Sequence, residues 1–143
     1  MGDQPGTIVA RFEMTVELGK VREFARATQA THPHLVDAEA PPITPTFLMS
    51  AALWQPPDAP QPYEALGMEL ERLLHGEQEF EFFGPPPGVG RRLAVEVLIE
   101  SIVEKRGRRG GVMRVGRIVT NFVDETGTLV ARSRTTAIET EAL

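Results

Sequence analysis

The segment from Glu77 to Ile138 constrains this chain more than any other, because it alternates at the period of a β-strand and breaks only at glycine-containing turns. Phe80 and Phe82 alternate with Glu77, Glu79 and Glu81. After Gly84-Pro85-Pro86-Pro87-Gly88, a longer strand puts Leu93, Val95, Val97, Ile99 and Val103 on one face and Glu96, Glu100 and Glu104 on the other. The run Lys105-Arg106-Gly107-Arg108-Arg109-Gly110-Gly111 turns the chain into a third strand, Val112 to Val123. Asp124-Glu125-Thr126-Gly127 reads as a hairpin loop with glycine placed for positive φ, and a fourth strand runs from Thr128 to about Ile138. Turns this short force antiparallel pairing, since parallel neighbours need a crossover. One face of such a sheet is apolar, and the preceding residues must cover it.

Those residues supply the cover. Phe12, Met14 and Val16 alternate with polar neighbours in an edge strand over Ile8 to Glu17. Val21, Phe24, Ala25 and Thr28 have helical spacing, so Lys20 to Thr28 is expected as a helix that ends at Thr31-His32-Pro33-His34. Asp37 to Pro42 reads as loop. Thr44 is placed to cap a helix with Pro45 at its first position, and Phe47 to Trp54 is apolar nearly all round, as a buried helix is. The proline-rich connector Gln55 to Pro62 follows, then a helix from Glu64 to about Leu74 with Leu66, Leu70, Leu73 and Leu74 on one side. His75 is expected to fix the corner between that helix and the next strand, with Gly76 marking a turn or close approach, and Gly116 is expected to introduce a bulge. The pattern predicts an α+β fold, with a curved antiparallel sheet around one apolar helix as in a hot-dog domain. A generic α+β sandwich fits the same periodicity.

At 143 residues the chain is long enough for one domain, 1–143, with its own core. Cysteine is absent, which excludes disulfides, thiolate catalysis and Cys-based metal sites. No apolar run approaches the roughly 20 residues of a membrane-spanning helix, and Met1-Gly2-Asp3-Gln4-Pro5 lacks a secretory signal pattern, so a cytoplasmic location without a membrane partner is expected. A net charge of −5 argues against nucleic acid as a partner. His32 and His34 have no obvious third ligand beside them, so no metal and no cofactor are expected.

Several motifs in order carry a resemblance. Val21-Arg22-Glu23-Phe24-Ala25, Pro45-Thr46-Phe47-Leu48, the run from Leu73-Leu74-His75-Gly76 to Phe82, the basic run from Glu104 to Gly111, and Asp124-Glu125-Thr126-Gly127 with Leu129-Val130 resemble the MaoC-like dehydratase N-terminal domain. The resemblance covers about Thr7 to Thr140. It implies a hot-dog fold, association as a homodimer or as a heterodimer with a catalytic MaoC-like subunit, and binding of acyl-CoA or acyl carrier protein thioesters. Catalytic relatives carry Asp-x-Asn-Pro-x-His after the first helix, whose Asp and His hold the water added across the double bond. Counted on from Phe24, those two positions fall on Ala30 and Leu35, with His32 and Pro33 between them. Neither Ala30 nor Leu35 can exchange a proton. The resemblance therefore implies a non-catalytic subunit or substrate-binding homolog of a (3R)-hydroxyacyl dehydratase or enoyl hydratase, with no catalytic residue.

Two alternatives remain open at this level. One is an active enoyl-thioester hydratase with a rearranged dyad using His32 or His34; the other is a stand-alone acyl-ligand binding or assembly module. The expected substrate-binding groups are the amides of Thr46 and Phe47 at the helix start, facing a thioester carbonyl, and Arg108 and Arg109, facing coenzyme A phosphates or an acidic carrier. The bland reading of that basic run is a solvated hairpin loop. Phe47, Leu48, Ala51 and Ala52 are expected to pack on Phe80, Phe82, Val95, Val97 and Ile99. The apolar residues on both faces of Val112 to Val123 suit a subunit interface, or cover by the N-terminal segment.

Overall fold

The computed structural model describes residues 4–141. Five antiparallel strands, β1 (Ile8–Thr15), β2 (Leu73–Phe82), β3 (Arg92–Arg106), β4 (Val112–Val123) and β5 (Leu129–Glu139), form one sheet in the order β1-β3-β4-β5-β2. The two hairpins are the expected ones. In the β4–β5 loop Gly127 has φ +82°, and the Asp124 carboxylate accepts from the Thr126 and Thr128 amides and the Thr126 hydroxyl. Those bonds, the Thr126 hydroxyl foremost, hold the Asp124 carboxyl below its ordinary value. β1 is an edge strand against β3, with Met14 and, just beyond it, Val16 buried.

Three segments cover the concave face. The amphipathic helix α1 (Leu18–Ala27) buries Val21 and Ala25. A 3₁₀ helix, Phe47–Trp54, crosses the middle and buries Phe47, Leu48, Ser50 and Ala51. The chain from α3 (Pro62–Ala65) to a single 3₁₀ turn, Leu70–Arg72, lies over the far end, where Ala65, Leu66 and Met68 are buried. Phe47, Leu48 and Ala51 join Val95, Val97, Ile99, Ile118 and Phe122 in one core.

Several details depart from the sequence pattern. The central helix starts at Phe47 and not at Thr44, because the Thr44 carbonyl closes a turn onto the Phe47 amide at 3.0 Å. With three residues per turn, Phe47/Ser50 and Leu48/Ala51 form buried columns while Met49 and Ala52 stack on the outside. Ala52 is thus not in the core, and the helix is not buried all round: Met49 and Leu53 are 43% and 69% exposed.

The helix expected from Glu64 to Leu74 stops after one turn, and β2 begins four residues earlier than its alternation indicates. Gly67, at φ +64°, ends the turn, and Arg114 on β4 donates to the Leu66 and Gly67 carbonyls at 3.0 and 2.7 Å. The Glu69 amide binds the Glu139 carboxylate instead of a helical carbonyl. Leu66 is fully buried, whereas Leu70 and Leu74 face outward, so the leucines share no single face. His75 accordingly lies within β2 opposite Ala137, and not at a helix-to-strand corner. The neighbouring residue Gly76 sits at a register shift where a Cβ would come 2.7 Å from Ile138 Cδ1, a close approach.

On β3 the register shifts between Ile99 and Ser101, which reverses the inward phase. Ile102 therefore takes the place expected for Val103, which is 44% exposed. Gly116 pairs regularly with Ile102 and Ala137, so it is not itself a bulge. Its role is room: a Cβ there would lie 2.6 Å from Leu66 Cδ1 and 3.0 Å from Met68 Cε. Leu66 is enclosed and cannot swing away, so Gly116→Val is expected to destabilise by about 1–3 kcal/mol through overpacking. A melting temperature equal to that of the parent would show that this segment yields freely.

Finally, His32, Pro33 and His34 are not a simple helix end. They open a second short helix, α2 (Pro33–Val36), in which His32 Nδ1 accepts from the His34 amide at 3.2 Å. Phe80 and Phe82 pack on the rim of the core and are only half-buried, because β2 is the other edge of the sheet.

Candidate functional site

The strand register lays the inward residues out in rows. Phe12, Val95, Phe122, Ala131 and Phe82 form one row; Ala10, Val97, Thr120, Ser133 and Phe80 the next; Ile99, Ile118, Thr135 and Gln78 a third. Apolar side chains fill the β1–β3 side of these rows. Toward β5 and β2 four polar side chains, Thr120, Ser133, Thr135 and Gln78, stand together. Three of them are joined: the Thr135 hydroxyl donates to Gln78 Oε1 at 2.8 Å, and Gln78 Nε2 donates to Ser133 Oγ at 3.3 Å.

Thr120, Ser133 and Thr135 of this patch form part of the wall of a half-open cavity of about 240 Å³ between the sheet and the central helix. Phe12, Val97, Ile118 and Phe122 supply apolar wall from the sheet, and Leu48, Met49 and Ala51 supply it from the helix. Ala52, Gln55, Pro62 and His75 complete the lining at its more exposed side. An apolar cleft with a few converging polar groups is the usual form of a small-molecule site. A larger open groove of about 640 Å³ runs past Arg11, Glu96, Asn121 and Leu129. Its polar groups are already engaged, Arg11 with Glu96 at 2.9 Å, Glu13 with Arg92 at 2.8 Å and Asn121 with Arg132 at 2.8 Å, so nothing in it converges on a ligand. The cleft under the central helix is the better candidate.

The residues singled out in the sequence are scattered around this cavity. Thr46 and Phe47 do start the central helix, but the Phe47 side chain is fully buried and its amide is taken by the Thr44 carbonyl. Thr44 is not a side-chain cap: its hydroxyl is buried with no hydrogen-bond partner among the described residues. Ala30 follows α1 and Leu35 lies in α2, both half-buried, while His32 and His34 are exposed. Arg108 and Arg109 are exposed at the tip of the β3–β4 hairpin, which is closed by bonds between Gly107 and Gly111 and between Gly107 and Gly110. None of these lines the cavity. No group of three or more His, Cys, Asp or Glu side chains among the described residues could hold a metal, and no helix among them is long and apolar enough to cross a membrane.

Sequence reasoning missed the polar patch. Its signal was present in β5, where Ala131, Ser133, Thr135 and Ala137 share one phase, but a strand of small and hydroxylated residues has no apolar alternation to mark which face is inside.

The family described as FAS1-like, dehydratase domain region matches residues 3–133. A UPF0336 protein of Streptomyces griseus is 33% identical over 124 residues, covering 81% of this chain and 78% of the relative. Among solved structures, the C-terminally truncated HadBC (3R-hydroxyacyl-ACP dehydratase) complex of Mycobacterium tuberculosis gives a TM-score of 0.64 at 25% identity over 95% of this chain and 97% of that one. A MaoC-like dehydratase gives 0.71 at 24% identity, over 96% of this chain and 43% of the other. A five-stranded sheet of this order curved round one apolar helix, matched along most of the sequence, makes the chain a hot-dog protein belonging to the FAS1-like dehydratase domain family.

Proposed function

We propose that the protein binds acyl thioesters, acyl-CoA or acyl carrier protein, as a non-catalytic subunit of a hot-dog dehydratase assembly in the cytoplasm. The observation that carries this reading is the pairing of a ligand-sized cavity under the central helix with Ala30 and Leu35 at the positions where active relatives hold an acid–base pair. A hydration step without a positioned acid or base loses about 10²–10⁴-fold in rate. His32 and His34 do not replace the pair in this reading: both side chains are exposed, and His32 Nδ1 is spent on the His34 amide. Thr46 at the helix start and Arg108 and Arg109 on the hairpin tip are proposed as outer contacts for the thioester and for phosphate or an acidic carrier.

A partner subunit fits the surface. β2 offers an unpaired strand edge, and Leu74 is 55% exposed on that strand. Met49 and Leu53 on the central helix are also exposed, and apolar groups left this bare favour association. The likeness to a HadBC complex supports a heterodimer with a catalytic subunit, and self-association would use the same edge.

Hydration of crotonyl-CoA by the purified protein, followed spectrophotometrically, tests the reading, together with light scattering at micromolar concentration. The expected result is a dimer with no turnover. Robust hydration that vanishes in His32→Ala or His34→Ala would replace this reading with an active hydratase, and a monomer would exclude self-association through the β2 edge and leave only the heterodimer. Slight activity gained by Ala30→Asp with Leu35→His would support the placement of the lost pair.

A further inference from the structure

Strand β2 changes phase where it reaches the cavity. Phe82, Phe80 and Gln78 face inward, opposite Ala131, Ser133 and Thr135. Continued unbroken, that alternation would turn Leu74 in and His75 out. The register shift at Gly76 reverses the two: His75 comes to lie opposite the inward-facing Ala137, and Leu74 opposite Ile138 on the outer face. Leu74 is left 55% exposed by the exchange. The extra residue has to be small, since a Cβ on Gly76 would meet Ile138 Cδ1 at 2.7 Å. Apolar burial is thus given up to put an imidazole on the cavity wall, and re-aiming a side chain beside a site is a common use of a bulge.

His75 is the one ionisable side chain among the described residues that line the cavity. The carboxylates of its surroundings are directed elsewhere. Glu77 is on the opposite face of the sheet, beside Thr136, and Glu64 is held by the Gln61 amide at 2.8 Å. Glu139 is taken by Arg72 and Arg114, and Asp58 is exposed on the connector, outside the cavity. The central helix, which forms the facing wall, carries no charged residue from Phe47 to Trp54.

We propose that His75 anchors the head group of a ligand in this cavity, and that the ligand is a medium-chain carboxylate. Its chain lies under the central helix against Phe12, Leu48, Val97 and Phe122, and its carboxylate meets the imidazolium at the open side. Such a ligand needs the cavity but not the thioester reading, because a thioester carries no charge where its acyl chain begins. The volume of about 240 Å³ suits octanoate: at roughly 30 Å³ per water-sized group it holds about eight such groups. The bond is charge-assisted, but water screens it at a half-open mouth, so it contributes about fivefold in affinity and not the hundredfold of a buried pair.

The test is calorimetric titration of the full chain with octanoate and with 1-octanol at about pH 6 and about pH 8, since histidine gains its charge between pH 8 and 5. Octanoate should bind about fivefold more tightly at the lower pH, whereas octanol, of equal length and uncharged, should bind alike at both. His75→Gln should abolish the pH response of octanoate and leave octanol unchanged. His75→Lys, charged at both pH values, should keep the tighter octanoate binding at the higher one. The His75 side chain is exposed, so both variants should melt with the parent. Octanoate that fails to bind, that responds to pH no differently from octanol, or whose response survives His75→Gln overturns the anchor. Octanoyl-CoA in the same series keeps the two readings apart. Octanoate anchored by His75 while octanoyl-CoA does not bind sinks the thioester reading alone, and octanoyl-CoA bound while octanoate ignores His75 sinks the carboxylate anchor alone.

Discussion

Replacing Phe47 with alanine should destabilise the protein by about 3–5 kcal/mol, the cost of removing a large aromatic from a core that closes round it only in part. Phe47 is fully buried at the start of the central helix and meets Phe24 edge-to-face at 5.6 Å between ring centres, so its loss also bares the inner side of α1. For a chain of this length the melting temperature should fall by roughly 10 °C or more. Phe82→Ala, at the sheet edge, is the internal comparison: its ring is half-buried, so less apolar area returns to water and the loss should be about half as large. Equal losses for the two variants would mean that the core is centred on the β2 edge and not under the helix.

That contrast marks where sequence reading succeeds here and where it stops. The strands after Gly84 were legible because their apolar residues recur every second position, and because Gly127 and the run from Gly107 to Gly111 admit only tight hairpins. The central helix was legible as a cover but not as a 3₁₀ helix: Phe47 to Trp54 is apolar at nearly every position, so its composition gives no period from which to tell three residues per turn from 3.6. The bulge at Glu100 left no mark, and Val103 and Ile102 exchanged faces because both are apolar. Local leucine spacing suggested a helix over Glu64 to Leu74, yet the competing bonds come from Arg114 and Glu139, some 50 to 70 residues away in sequence. The candidate site was the least legible part for the same reason. Gln78, Ser133 and Thr120 come from three strands and become a patch only once the register is set.

The second large effect belongs to the clamp that replaced the expected helix. Glu139, 5% exposed at the end of β5, accepts from the Glu69 amide at 2.8 Å, from Arg72 at 3.1 Å and from Arg114 at 3.2 Å. Arg114 in turn holds the Leu66 and Gly67 carbonyls, so one carboxylate ties the segment over Gly116 to two strands. Glu139→Ala leaves two guanidinium groups without their shared partner. The expected loss is about 3 kcal/mol, at the low end for a broken buried pair because both arginines keep some contact with water. Glu139→Gln gives a sharper test, since it keeps the shape and removes the charge. Burial alone would push the Glu139 carboxyl up, but the Glu69 amide, the Arg114 hydrogen bond and the Arg72 charge outweigh it and hold it below its ordinary value of 4.5. A carboxylate depressed in the folded state contributes its full stability above the unfolded value and loses it as pH falls through the folded one. The stability gap between parent and Glu139→Gln should therefore be widest from neutral pH down to about 4.5 and narrow progressively below it. Urea unfolding of both proteins across that range reads the gap directly; a gap that stays constant into acid would show that the carboxylate is not charged in the folded protein, and that the arginines hold the segment without it.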